Sequence, residues 1–124
     1  MTDKQLEQKQ KELREEMNSQ GFGWINGDYI KPPKEYELRK EELSCIGMIN
    51  SIIAYDWFGQ TADDIMQMEE NAYHNYLADY VELFGREKVV ALIQGQIDDV
   101  KEIKRNVHTD NEGVTYNSII WKEQ

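Results

Sequence analysis

The sequence predicts an α+β fold: one mainly helical domain of about four helices, with short antiparallel β-hairpins near both ends of the chain. Three observations lead there. Apolar residues recur at helical spacing over most of the interval 35–104. Asn26-Gly27 sits between two runs of aromatic and β-branched residues near the N-terminus, and a second pair of β-prone runs flanks a polar turn ending in Gly113. The 124 residues, 40% of them hydrophobic with three Trp and seven Tyr, suffice for one core and fall short of the length at which chains divide, so 1–124 is expected to be a single domain.

Each element has its own signal. Residues 2–20 form a helix, because Thr2 and Gln5 have the spacing of a capping box and Gly21 is a natural C-terminal stop. Its apolar stripe, Leu6, Leu13 and Met17, is narrow, which suits a helix lying on the surface or extended from it. The Asn-Gly pair then predicts a hairpin within 22–30, and Pro32-Pro33 ends it. From about residue 35 the chain is helical again. After Leu43 the apolar residues Ile46, Met48, Ile49, Ile52, Ile53 and Tyr55 fall on nearly every side, the pattern of a buried helix. Gly59 closes it, and Thr61 followed by Asp64 opens the next.

One helix is predicted over 62–84, with Ile65, Met68, Ala72, Tyr73, Tyr76, Tyr80 and Phe84 on its buried face and Gly85 at its end. Another is predicted over about 86–104. It buries Val89, Leu92, Ile93, Ile97, Val100 and Ile103 and turns Glu87, Ala91, Gly95, Asp98 and Glu102 outward. Val107 to Tyr116 gives the second hairpin, and Ile119, Ile120 and Trp121 are too apolar to dangle, so they pack on the domain.

Charge is the other strong signal. Of the net −10, the segment 56–102 carries −8: eleven acids are opposed there only by Arg86, Lys88 and Lys101. A localised excess of one sign speaks to partners rather than to fold. With a pI near 4.6, direct binding to a phosphate backbone is disfavoured, since such domains cluster Lys and Arg. The single Cys45 forms no intramolecular disulfide, and the N-terminal residues lack an apolar signal core, so a reducing cytoplasm is the expected compartment. The apolar run 46–54, broken by Gly47, Asn50 and Ser51, is too short for a membrane span, which needs about 20 residues.

Catalytic chemistry finds little support. Asp79-x-x-Glu82 and Asp99-x-x-Glu102 have the spacing of paired carboxylates that hold Mg²⁺ between helices, with Glu12-x-x-Glu15 a third pair. At 100° per residue, however, Glu82, Asp99 and Glu102 point to solvent, and the acidic pattern of the all-α nucleotide pyrophosphohydrolases is not completed. His74, four residues after Glu70, reads as a surface pair, and His108 as structural or exposed. Cys45 has no basic neighbour to lower its pKa. Gly21-Phe22-Gly23 lacks the third glycine of a dinucleotide loop, and no Gly-Lys-Ser/Thr occurs. The expectation is a protein that is not an enzyme and carries no cofactor and no metal.

The outward strip Ala91, Gly95, Asp98, Glu102 combines small residues with acids. A partner's backbone can approach at Gly95 while its Arg and Lys meet the carboxylates. The expected partner-binding residues are Asp63, Asp64, Glu82, Glu87, Ala91, Gly95, Asp98, Asp99 and Glu102, and the expected partner is the basic surface of another protein. In size, acidity, lack of catalytic motifs and cytosolic signature, the whole chain resembles the small proteins of phages and mobile elements that include anti-CRISPR and anti-restriction inhibitors. That resemblance implies a non-enzymatic inhibitor occupying a basic nucleic-acid-binding cleft of a defence nuclease. Two alternatives stay open: a small adaptor or oligomeric structural protein using the N-terminal helix or aromatic hairpins, and a metal-dependent enzyme acting on nucleotides.

Overall fold

The computed structural model describes residues 1–122. Helix α1 (Asp3–Ser19) leads into a short hairpin of β1 (Gly23–Ile25) and β2 (Asp28–Ile30). Four helices follow: α2 (Lys34–Asp56), α3 (Ala62–Asn71), α4 (Ala78–Phe84) and α5 (Arg86–Asp98). A second hairpin, β3 (Val100–Thr109) and β4 (Thr115–Trp121), ends the chain. The fold is thus mixed helix and sheet, with five helices rather than about four and two separate two-stranded antiparallel sheets among the described residues.

Helix α2 is the axis. It touches α1, α4, α5 and β4, and its Cys45, Ile49, Ile52 and Ile53 form one cluster with Ala62, Ile65 and Met66 of α3, Leu77, and Val89 and Ile93 of α5. Helix α1 lies against α2 through the expected stripe of Leu6, Leu13 and Met17, all buried. A Cβ added at Gly47 would stand 3.3 Å from Leu6 Cδ2, so that glycine sets how closely the two helices approach. Strand β4 carries Ile119, Ile120 and Trp121 onto the domain, as their apolar character requires.

Local chemistry explains most boundaries. Both capping boxes form: Thr2 with Gln5 on α1 and Thr61 with Asp64 on α3. Asn26 and Gly27, both at positive φ (51° and 85°), make the first turn, in register Trp24↔Tyr29. In the second hairpin Asp110 accepts from the backbone N–H of Val114 and Glu112 at 2.9 Å each, which closes the loop that Gly113 (φ 81°) turns. Those bonds, Val114 first, hold the Asp110 carboxyl below the usual carboxylate range.

Two helix predictions need correction. The helix expected over 62–84 breaks after Asn71. Here the side chains compete with the helix for backbone donors: Asn75 Oδ1 accepts from Leu77 N–H at 2.9 Å, and Glu69 Oε1 accepts from Tyr76 N–H at 3.3 Å. The supposed buried face dissolves with it, since Ala72, Tyr73 and Tyr76 are exposed while Met66 and Leu77 enter the core. The helix expected to reach about residue 104 ends at Asp98. Val100, Ile103 and their neighbours pair instead with β4, in register Val100↔Trp121 and Ile103↔Ile119. A bulge between Lys104 and His108 holds Asn106 at φ 55°, its N–H donating to the buried Asn117 Oδ1 at 3.0 Å.

A polar network ties the start of α1 and the end of α5 to Asn50 within α2. Gln96, buried, donates from Nε2 to the Met1 carbonyl and to Asn50 Oδ1, each at 2.7 Å, and Asn50 Nδ2 donates to Asp3 Oδ1 at 3.0 Å. The Met1 amine donates to Gln96 Oε1 at 3.0 Å and forms an ion pair with Asp99. Gln96→Leu keeps the volume but strands the buried Asn50 oxygen, so it is expected to lower unfolding stability by about 1–3 kcal/mol. Urea denaturation checks this; an unchanged midpoint would make the network incidental to stability.

Candidate functional site

The acids singled out in the sequence sort into two kinds once their neighbours are known. Several are already engaged. Arg86 bridges Asp63 (2.9 Å) and Glu70 (3.0 Å), fastening the N-terminus of α5 to both ends of α3. Those two carboxylates, Glu70 first, raise the Arg86 pKa further. Asp64 caps α3 through its hydrogen bond from Thr61 N–H. Asp98 accepts from Gln94 at 2.8 Å, and Asp99, the C-cap of α5, holds the Met1 amine. Glu82, Glu87 and Glu102 have no basic partner among the described residues and are exposed.

The strip foreseen on one helix is therefore only partly continuous. Glu87, Ala91, Gly95 and Asp98 share the outer face of α5, at spacings of four, four and three. Glu102 has left that face for β3, opposite Ile120. Ala91 and Gly95 also border a groove of about 370 Å³ beside α1, where Gln5, Lys9 and Ile46 form the other side. A Cβ at Gly95 would meet nothing within 4 Å, so this glycine is not required by packing inside the domain.

The break between α3 and α4, which periodicity had concealed, exposes aromatic rings. Tyr73 is fully exposed, Tyr76 is 55% exposed and Phe58, just beyond the end of α2, 62%. Tyr55, Asp56 and Tyr76 line one depression of about 350 Å³ with Met48, Ser51 and Ile52. Phe58 and Met68 are linked to each other through Gln60, which accepts from Phe58 N–H and donates to Met68 Sδ at 3.5 Å. The Arg105 guanidinium lies 4.8 Å from the Phe58 ring centre. Tyr55 in turn stacks on Tyr116 at 5.1 Å, and Tyr116 on His108 at 5.0 Å, so the aromatic surface continues onto the second hairpin. Sequence reasoning assigned Tyr73 and Tyr76 to a core. The signal that places them outside is the polar cluster Asn71, His74, Asn75, whose side chains favour turns.

The reactive side chains are placed quietly. Burial pushes the Cys45 thiol up to about 12, with the charge of Glu42 adding to it, so it is neutral at physiological pH. His74 packs edge-on against Tyr76 at 4.5 Å. Among the described residues no three His, Cys, Asp or Glu side chains come together as a cation site, so the two Asp-x-x-Glu pairs are not brought into one. No helix among them is long and apolar enough to cross a membrane. Comparison with known protein families, curated proteins and solved structures finds no match in any of the three.

Glu69 is the one acid of this region buried under the aromatic surface. Desolvation raises its pKa above the usual carboxylate value, opposed by the Tyr76 N–H bond and aided by the charge of Asp56. A folded-state pKa above the unfolded one means that protonation favours the fold: the contribution is present below the unfolded value and lost as pH rises through the folded value. Glu69→Gln retains an acceptor for Tyr76 without the charge. It is expected to raise the melting temperature at pH 7, with the gain vanishing at pH below the ordinary Glu range. Thermal melts at the two pH values check this; a gain that persists in acid would contradict it.

Proposed function

We propose that the chain is a non-enzymatic, acidic protein-binding domain that docks on a basic surface of another protein. The observation that carries this reading is the exposure of Tyr55, Phe58, Tyr73 and Tyr76 within and beside the segment of net −8. Aromatic rings that a fold leaves outside, bordered by charge, are the composition of protein interfaces, where a few such anchors carry most of the energy. The acid excess of this segment, with Asp56 lining the same depression as Tyr55 and Tyr76, speeds encounter with a positive surface and excludes negative ones.

The sharper form is an inhibitor that fills the nucleic-acid cleft of a defence nuclease, such as a CRISPR effector, with Glu82, Glu87 and Glu102 standing in for phosphates. A pull-down from the native host and from cells expressing such nucleases identifies the partner. Binding to it is expected to weaken steeply with salt, because exposed charges farther apart than about 8 Å are screened at physiological ionic strength. An affinity flat in salt would exclude recognition led by acids.

Neutralising Glu82, Glu87 and Glu102 together to Gln is expected to cut that affinity and to change stability by less than about 1 kcal/mol, since surface charges contribute little to folding. Asp99 is left intact because it holds the Met1 amine. Gly95→Ala separates the small-residue strip from the acids: with open space for its Cβ it should gain up to about 1 kcal/mol of helix stability. If the partner's backbone sits against Gly95, the same variant loses affinity. Unaltered binding in both variants would leave the acidic face without a role.

A second reading, a small adaptor or oligomeric structural protein, draws on the first hairpin, where Trp24, Tyr29 and Ile30 are all exposed. Sedimentation across a range of concentrations decides it: a monomer throughout removes self-association.

A further inference from the structure

We propose that the groove between α1, α2 and the β1–β2 hairpin binds a small anion carrying one flat apolar ring, a site separate from the acidic surface above. The groove encloses about 350 Å³, within the roughly 300–1,000 Å³ typical of small-molecule sites. Its base is apolar and fixed: Leu13 and Met17 are buried against α2, and Leu43 lines it from the other side. Trp24 and Tyr29, ring centres 5.3 Å apart, give it an aromatic wall. Trp24 remains 71% exposed, although burying such a ring is worth a few kcal/mol, so the fold leaves a stacking surface unused.

Two cations, Arg14 and Lys40, line the same groove. Of the neighbouring cations, Arg39 pairs with Glu16 at 2.9 Å and Lys11 with Glu15 at 4.0 Å, while Lys34, which lines the adjacent depression with Lys40, makes no ion pair among the described residues. Arg14 and Lys40 have no ion-pair partner among the described residues. For Arg14 the sequence explains this, because the positions three and four residues away are Lys11, Gln10, Met17 and Asn18, none of them acidic. Glu37 and Glu41 line the neighbouring depression with Lys40, yet neither pairs with it. Two cations that line one groove with an exposed aromatic pair suit an oxyanion-plus-ring ligand. Arg14 can take a carboxylate or phosphate in two parallel hydrogen bonds, Lys40 can add its point charge, and Trp24 or Tyr29 can stack on the ring.

Size and charge bound the ligand further. With two cations in about 350 Å³ the groove offers contacts for a single small anion, whereas an oligonucleotide binds through a longer cluster of Lys and Arg. The shared chemistry, one ring and one oxyanion, belongs to aryl carboxylates and to nucleoside monophosphates alike, and the experiment separates them.

Benzoate, AMP, benzamide, inorganic phosphate and a short single-stranded oligonucleotide are titrated into the ¹⁵N-labelled full chain, following the Trp24 indole N–H and Arg14 Nε–H resonances. Saturable shifts are expected from benzoate or AMP below about 10 mM, a range in which weak affinities remain measurable. Whichever saturates first identifies the source as carboxylate or phosphate. Benzamide, with the same ring but no charge, and phosphate, with charge but no ring, are expected to bind at least about tenfold more weakly. Arg14→Gln and Trp24→Ala should each weaken binding by about tenfold at an unchanged melting temperature. The proposal is overturned if neither anion saturates, if benzamide or phosphate does as well, if the oligonucleotide binds tighter than AMP, or if both variants bind like the wild type.

Discussion

Everything in this fold is arranged around the burial of one helix. From Leu43 onward helix α2 is apolar on nearly all sides, and Cys45, Ile49 and Ile53 are almost wholly enclosed. A helix of that kind cannot lie on a surface and must be covered from several directions at once. Each neighbour supplies one cover: α1 over Gly47, α5 and α4 on the core side, with α3 packed on α5 and sharing the same cluster, and β4 along another flank. Helix α2 supplies Cys45, Ile46, Ile49, Ile52 and Ile53 to the buried apolar set, more than any other single element among the described residues. Three apolar residues suffice to seat the 17 residues of α1. The outer faces of α3, α4 and α5 are then free of packing duty, which is how a segment with net −8 is compatible with a stable domain.

Most local structural instructions were legible in the sequence. Both capping boxes, the Asn26-Gly27 turn and the end of α2 near Gly59 depend on residues within a few positions of one another. The packing of Ile119, Ile120 and Trp121 was legible for a simpler reason, their hydrophobicity. The failures share a different cause. Val100 and Ile103 continue the apolar period of α5 faithfully, and only the presence of β4, some twenty residues later, turns them into a strand. At 72–77 the tyrosines kept the helical period while Asn75 and Glu69 took the backbone donors a helix would need. Periodicity counts apolar residues; it does not count competing acceptors.

The candidate surface was readable in sum and unreadable in detail for a related reason. A count of acids gives the sign and rough location of the field. It does not tell which carboxylates are already spoken for: Asp64 in a cap, Asp63 on Arg86, Asp99 on an amine 98 positions away. Aromatic hairpins stand among the expected interfaces, but Tyr73 and Tyr76 are assigned there to a core, because tyrosines at helical spacing look like core until a turn intervenes. Charge pattern and exposed rings thus fall in and beside one stretch of the chain, the first legible from composition and the second only from the folded chain.

The exposure of Trp24 has an optical consequence. The protein has three tryptophans, and they report on different things. Trp57 and Trp121 are part-buried, the first with its indole N–H bonded to the Gln60 carbonyl at 2.9 Å, the second in β4. Their emission follows the integrity of the core. Trp24 stands in water on a hairpin that the core does not enclose, so it contributes the red edge of the spectrum and the fraction accessible to a dissolved quencher such as iodide. Occupation of its groove and loss of the fold therefore appear as separate spectral events in the unmodified protein, without any introduced label.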